Sequence, residues 1–146
     1  MHDLSDHKKV SMLKGTVQFR VIYGDTDKMG YLYYGHYAKL YEIGRAELMR
    51  ETGVTYQECE DIHGVMMPVL HLECRYKLPA KYDQLLTIHT ELRELPRRML
   101  HFHHEIYNEA GDLLNLGEVK LFYVDMKTNK NISCPPFLMD KFKPHY

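Results

Sequence analysis

The chain of 146 residues carries 19 lysines and arginines against 20 aspartates and glutamates, so its formal charge is −1. Apolar residues make up 45% and charged residues 27%, which is typical of a single globular domain. The near-zero charge argues against a nucleic-acid-binding protein that neutralises many phosphates. No apolar run approaches the roughly 20 residues that span a bilayer, and the first residues lack the apolar core of a signal peptide. We therefore expect a cytoplasmic, soluble protein without a nucleic-acid partner and without a membrane span.

The chain begins with a polar stretch and then changes to a regular pattern. Residues 1–14 have no periodicity, and we expect a leader there, followed by one domain over residues 15–146. From Thr16 to Tyr23 apolar and polar residues alternate, as they do in a strand with one buried face.

A long helix is predicted from about Gly35 to Thr52, after a turn over residues 24–30. Its apolar stripe recurs at spacings of four, three and four residues: Tyr37, Tyr41, Gly44 and Leu48. A helix of about 17 residues is roughly 25 Å long. Glycine inside a helix costs up to about 1 kcal/mol relative to alanine, so Gly44 indicates a place where another backbone packs close. Residues 55–64 predict a short second helix, opened by a capping box.

Four further strands follow, over residues 70–77, 86–93, 99–107 and 113–124. The first three alternate between apolar and polar residues, which is typical of antiparallel strands with one face on a core and the other in water. After Cys134 only a terminal turn is predicted. The order of strand, long helix and four strands predicts an α+β domain, with a curved antiparallel sheet of about five strands wrapped around one long helix.

The segment between the first strand and the long helix carries the candidate chemistry. Asp25 and Asp27 precede the helix N-terminus, where unpaired N–H groups and a partial positive charge stabilise an ionised carboxylate. A free N–H of Tyr34 or Gly35 at the same point can bind an oxyanion. A base beside an oxyanion donor is the minimum equipment for acyl transfer. On the residues alone, turn and capping chemistry is the favoured interpretation of the two acids, and a core or interface role is the favoured interpretation of the neighbouring tyrosines.

The pattern Asp-Thr-Asp-x-x-Gly-x-x-Tyr-Tyr-x-x-Tyr over residues 25–37 is followed by Tyr-Glu-x-x-Arg over residues 41–45. Together they resemble the 4-hydroxybenzoyl-CoA thioesterase-like family of hotdog-fold enzymes, which act on acyl-CoA and acyl-carrier-protein thioesters. The resemblance extends from about Val17 to Val124 and includes a Leu-Pro-Ala-x-x-Asp turn at residues 78–83. It implies a hotdog fold and thioester hydrolysis with no separate cofactor, because coenzyme A is part of the substrate.

The resemblance also assigns roles to single residues. Asp27 matches the family's catalytic carboxylate, and Tyr34 matches the position whose backbone N–H polarises the thioester carbonyl. Asp25 and Thr26 would then hold the loop. Asp27 would either attack the carbonyl or deprotonate a water molecule, and both mechanisms stay open. The expected substrate-binding residues around this pair are Tyr33, Gly35, His36 and Tyr37.

Two basic residues and a histidine cluster lie outside this segment. Arg97 and Arg98 match a place where a related enzyme type binds the phosphates of coenzyme A, although a solvated hairpin turn would carry such a pair too. His101 and His103 share one face of a predicted strand, but no third ligand is evident and no metal is expected. The scattered cysteines are expected to be reduced thiols: Cys59, Cys74 and Cys134.

The resemblance finally implies that two protomers pair into one continuous sheet, with each active site at their interface, in a homodimer or a homotetramer. The alternative function is a non-catalytic hotdog module that binds acyl-CoA or acyl-carrier protein. A hotdog dehydratase is disfavoured, because its Asp-x-Asn-Pro-x-His pattern is absent from the chain.

Overall fold

The computed structural model of the protein describes residues 11–146. Its strands are β1 (Leu13–Arg20), β2 (Val65–Met66), β3 (Val69–Tyr76), β4 (Leu85–Leu92), β5 (Met99–Tyr107), β6 (Leu113–Asp125) and β7 (Lys130–Ile132). Its helices are α1 (Tyr37–Glu51), α2 (Tyr56–Asp61) and α3 (Pro136–Phe142). Within the described residues, no helix has the length and apolar character needed to cross a membrane.

The five long strands form one antiparallel sheet in the order β1-β4-β5-β6-β3. The two short strands, β2 and β7, pair with the last residues of β6. Helix α1 packs against β1, β4 and β5, and the sheet curls around it. This is the predicted α+β architecture, with a five-strand curved sheet and one long helix.

The predicted alternation is confirmed in β4 and β5, whose even-numbered side chains are buried against α1 while the odd-numbered ones face away from it. The predicted stripe of α1 is also buried. Strand β3 differs, because it is an edge strand that α1 does not cover. Leu70, Leu72 and Tyr76 on its apolar face are 54%, 41% and 54% exposed. Leu70 and Leu72 of β3 are therefore left uncovered by the described residues of one chain.

The boundaries around β1 and α1 differ from those predicted. Most of the predicted leader lies outside the described residues, but Leu13 and Lys14 already belong to β1. Strand β1 ends at Arg20, and Tyr23 is 82% exposed in a 3-10 turn. Helix α1 begins at Tyr37, because the three residues before it form another 3-10 turn.

Gly44 makes a close approach, but its neighbours are side chains of the chain's own sheet. A Cβ atom at this position would lie 2.4 Å from Thr90 Oγ1 and 3.0 Å from Ile88 Cγ2. The expected contact with another backbone is therefore wrong, and the residue carries no indication of a contact between protomers.

Two elements near the C-terminus were not predicted. Strand β7 follows the strand that was expected to be the last one, and α3 follows Cys134, where only a turn was expected. Leu138 and Phe142 of α3 are fully buried. They lie four residues apart, so one face of α3 completes the core beyond the end of the sheet.

Candidate active site

Asp27, the predicted catalytic acid, is held in place by the loop in which it lies. Thr26 and Leu32 form an isolated antiparallel bridge, and the turn between them closes when the Gly30 N–H donates to the Asp27 carbonyl at 3.0 Å. Gly30 has φ +80°, a conformation that glycine adopts without strain. Asp27 Oδ1 accepts hydrogen bonds from the N–H groups of Met29 at 2.9 Å and Tyr31 at 3.1 Å. These bonds orient the half-buried carboxylate, and its second oxygen accepts no hydrogen bond from any described residue.

The N-terminus of the helix lies directly after this loop. Tyr34, Gly35 and His36 form the 3-10 turn that leads into α1, and the first hydrogen bond of the turn joins the His36 N–H to the Tyr33 carbonyl at 2.9 Å. The N–H groups of Tyr34 and Gly35 precede this bond and have no carbonyl of the turn to bind. Such N–H groups at a helix start are suited to stabilise a developing oxyanion.

Asp27, Tyr34 and Tyr37 line one pocket of about 290 Å³. Three of the predicted site residues, which come from the loop, the 3-10 turn and the start of α1, therefore lie around the same space. Six further residues complete the lining: Tyr31, Leu32, Tyr76, Lys77, Leu78 and Pro79.

The end of β3 supplies the wall of this pocket that faces α1. The Tyr76 hydroxyl donates a hydrogen bond to the Tyr34 carbonyl at 3.1 Å, and its ring packs edge-on against Tyr37 at 5.3 Å between centroids. Its hydrogen bond with Cys74 and its desolvation raise the pKa of Tyr76 to about 12, so the hydroxyl stays protonated as a donor. Sequence reasoning did not place Tyr76 in the site, because it lies 42 residues from Tyr34.

Asp25, the other acid of the pair, has a different environment. It is only 5% exposed, and its Oδ1 lies 2.8 Å from the Lys39 ammonium nitrogen on α1. His36 Nε2 lies 4.0 Å from the same oxygen, so this imidazole is directed to Asp25. His36 is absent from the lining of the pocket beside Asp27. Asp25 thus joins the loop to the first turns of α1, as the resemblance implied.

Tyr33 and Gly35 pack next to each other beside His36. The Tyr33 ring packs edge-on against His36, with 5.4 Å between centroids. A Cβ atom on Gly35 would lie 2.6 Å from the Tyr33 ring, so only glycine leaves the ring its place. Neither residue lines the pocket beside Asp27.

Arg97 and Arg98 lie at the other end of the sheet. They are exposed in the connection between β4 and β5, whereas the Asp27 loop lies beside the first residues of β4. A strand of eight residues is roughly 25 Å long. Within one chain the pair therefore lies at the opposite end of β4 from the Asp27 loop and is absent from the lining of the pocket.

Comparisons with known proteins agree with this fold. The model of the thioesterase-like superfamily matches residues 21–142. The acyl-CoA thioester hydrolase YbgC of Escherichia coli is 32% identical over 124 residues, which cover 85% of this chain and 92% of that protein. The crystal structure of a DHNA-CoA thioesterase from Staphylococcus aureus is 29% identical with a TM-score of 0.77, and it covers 82% of this chain and 80% of that one.

A solved complex of 4-hydroxybenzoyl-CoA thioesterase shares the fold. It has a TM-score of 0.79 at 19% identity, over 89% of this chain and 99% of the other. The family match covers the whole of the Asp27 loop, α1 and the sheet from β2 to β7. The chain belongs to the thioesterase-like superfamily and has the hotdog fold.

Proposed function

We propose that this protein is an acyl-CoA thioesterase in which Asp27 acts as the nucleophile or the general base. The observation that carries the proposal is the pocket of about 290 Å³ that Asp27 and Tyr34 both line, at the start of α1. Relatives named as acyl-CoA thioester hydrolases support the reaction class.

The chemistry follows from the two groups at the pocket. The Tyr34 N–H donates to the thioester carbonyl oxygen and stabilises the negative charge that develops on it. Asp27 either attacks the carbonyl carbon, giving an acyl-enzyme anhydride, or takes a proton from an attacking water. The leaving group is a thiolate, and since a thiol has a pKa of about 8.5, no strong general acid is needed. The position of His36 beside Asp25 fits this mechanism, because it leaves the imidazole outside the pocket.

The other residues that line the pocket suit the acyl group and the coenzyme A group of the substrate. Tyr37 and Tyr76 give the pocket an aromatic wall, which suits an acyl group with an apolar or aromatic body. Lys77 lies at the rim and offers one cation to the phosphates of coenzyme A. Arg97 and Arg98 offer two more from the partner protomer.

The partner protomer enters through β3. This edge strand presents unpaired backbone groups together with exposed leucine and tyrosine side chains, and such an edge favours pairing with a second strand. Two copies of the chain then form one continuous sheet, and the end of β3, with Tyr76 and Lys77, brings the interface to the catalytic pocket.

A thiol-release assay with a panel of substrates tests the proposal. Each acyl group, aliphatic or aromatic, is offered both as a coenzyme A ester and as an acyl-carrier-protein thioester, and free thiol is measured. We expect turnover of coenzyme A esters that the Asp27→Asn variant does not show. Binding of acyl-CoA without thiol release from any substrate would contradict the proposal and indicate a non-catalytic binding module.

A further inference from the structure

Three potential metal ligands meet on the outer face of the sheet, away from α1. His101 and His103 lie on β5 with their side chains on the face opposite to the buried even-numbered residues. Glu118 of β6 lies directly across from His103 in the register of the two strands. Sequence analysis did not identify Glu118 as the third ligand, because strand pairing alone brings it next to the two histidines.

The distances between these groups suit coordination of one ion. Glu118 Oε1 lies 3.3 Å from His101 Nε2 and 3.1 Å from His103 Nδ1. The three ligand atoms lie within 4.8 Å of one another. Donor atoms bound to a tetrahedral zinc ion at about 2.0–2.1 Å are themselves about 3.4 Å apart, so the two histidine–glutamate distances need little adjustment.

One imidazole nitrogen of the cluster also lacks a hydrogen-bond partner. His101 Nε2 is buried, and although it lies 3.3 Å from Glu118 Oε1, it forms no hydrogen bond with any described residue. A bound cation would give this buried nitrogen a partner.

The neighbouring strands add charges of both signs around this cluster. The groups that face it or lie directly across from it are Glu73, His71, Glu91, Arg93 and Lys120. An open pocket of about 210 Å³ on the same face is lined by both His103 and Glu118. Water can reach the cluster through this pocket and supply a further ligand.

We propose that His101, His103 and Glu118 form a binding site for a divalent transition-metal ion of the zinc type, completed by water. Two histidines and one carboxylate are a known ligand set for zinc, and imidazole ligands select against magnesium and calcium. The ion would join β5 to β6 on the outer face of the sheet. The site is separate from the Asp27 pocket, which has none of these residues in its lining, and the proposal does not rest on the thioesterase activity.

The test uses the full chain without a histidine tag, freed of metal with a chelator. Zinc chloride is titrated by calorimetry at neutral pH, cobalt chloride is followed by its absorption spectrum, and magnesium chloride serves as the non-binding ion. We expect one zinc per chain, a cobalt spectrum with nitrogen ligands, and a higher melting temperature with zinc. His103→Gln, His101→Gln and Glu118→Gln should each weaken zinc binding at least about tenfold.

His89→Gln is the matched control, since His89 is an exposed histidine on the same face of the neighbouring strand β4. It should leave the affinity for zinc unchanged. Circular dichroism of the metal-free variants confirms that each one is folded. Zinc binding that is insensitive to the three cluster variants, or no saturable binding of zinc or cobalt to the wild-type chain, would overturn the proposal.

Discussion

Asp25 and Asp27 lie two residues apart, yet the fold gives their carboxylates different partners. Asp27 is oriented by two backbone N–H groups and faces a pocket, whereas Asp25 is buried against Lys39. We predict that Asp27→Asn lowers kcat at least about 100-fold without changing the melting temperature, because the amide is neither a nucleophile nor a base. Steady-state thiol release and thermal unfolding measure the two effects.

Asp25→Asn is the matched variant and should show the opposite balance. It removes the ion pair with Lys39, whose side chain is 45% exposed, so solvent already screens part of the interaction. We expect the free energy of unfolding to fall by about 1–2 kcal/mol, with a smaller loss of kcat than Asp27→Asn causes. If Asp25→Asn abolishes turnover while Asp27→Asn only destabilises the protein, the two roles are reversed.

His104 makes the stability of the fold depend on pH. Burial and the Arg45 charge lower the pKa of His104 to about 3, against about 6.5 in the unfolded chain. Below about pH 6.5 the unfolded state therefore binds a proton that the folded state does not, and stability falls as the pH falls toward 3. In denaturant unfolding, His104 should contribute a loss of about 1 kcal/mol per pH unit between about pH 6 and pH 5. His103, whose pKa desolvation lowers to about 4, adds a second contribution to the measured slope.

A variant that lacks His104 isolates the contribution of this residue to the pH dependence. His104→Gln should flatten the slope by about one proton, whereas His89→Gln, which changes an exposed histidine, should keep the wild-type slope. Both are compared with a chelator present, so that bound metal does not contribute. An unchanged slope in His104→Gln would show that His104 is protonated in the folded state.

The sequence predicted that Asp27 and Tyr34 lie together at the helix start, and it missed the other walls of their pocket for a physical reason. Asp27 and Tyr34 are close in sequence, so a local motif contains both of them. Tyr76 and Lys77 reach the pocket only because β3 pairs with β6 and runs back past α1. Glu118 joins the two histidines of β5 in the same way. A contact made by strand pairing leaves no local signature in the chain.

At the level of elements, long periodic segments were predicted and short ones were not. The strands with alternating side chains and the stripe of α1 have patterns that extend over eight or more residues. Strand β7 has three residues, too few for an alternation. Only a terminal turn was predicted where α3 lies, although proline is favoured in the first turn of a helix and Pro136 begins this one.

The contact between α1 and β4 gives a prediction at this scale. Gly44→Ala would improve the helix propensity of α1 by about 1 kcal/mol, but the new Cβ would lie 2.4 Å from Thr90 Oγ1. Overpacking in a well-packed core costs about 1–3 kcal/mol, and Thr90 is held there by a 3.0 Å hydrogen bond with His104. We therefore expect a net decrease in the free energy of unfolding.

Two comparisons check this result by denaturant unfolding. In a double-mutant cycle, Thr90→Ala removes the clashing oxygen, so the two substitutions together should cost less than the sum of their single effects. Gly24→Ala is the control, because a Cβ there meets nothing within 4 Å. A Gly44→Ala variant more stable than wild type would contradict the close contact with the sheet.

At the scale of the whole molecule, β3 is an edge strand that exposes apolar side chains. We predict a dimer at micromolar concentration, and we expect Leu72→Lys to convert it to a monomer, because the substitution places a charge on the exposed apolar face of β3. The monomer should stay folded and lose most of its activity. Sedimentation velocity and thiol release measure these outcomes.

The control for this variant is Ile62→Lys, which also places a charge at an exposed apolar residue, 71% exposed, but beside α2. It should remain dimeric and active. A wild-type protein that sediments as an active monomer would contradict both the dimer and the position of the site at its interface.

Arg97 and Arg98 lie at the opposite end of the sheet from the Asp27 pocket, so we predict that they bind a substrate held at the Asp27 of a partner protomer. Arg97→Ala combined with Arg98→Ala should raise KM for coenzyme A esters far more than it lowers kcat, because phosphate contacts stabilise the bound substrate and the transition state equally. The increase should shrink in high salt, since such contacts are screened over about 10 Å at 0.1 M ionic strength.

Mixed dimers determine which protomer supplies the arginines. When a chain carrying Asp27→Asn is co-expressed with a chain lacking both arginines, one of the two sites receives an intact Asp27 from one chain and intact arginines from the other. If the arginines act across the interface, the mixed dimer should regain the wild-type KM at about half the wild-type kcat per dimer, since one of two sites is intact. If Asp27 and the arginines of one substrate site belong to the same chain, every active site in the mixture keeps the raised KM, and the contact across the interface is wrong.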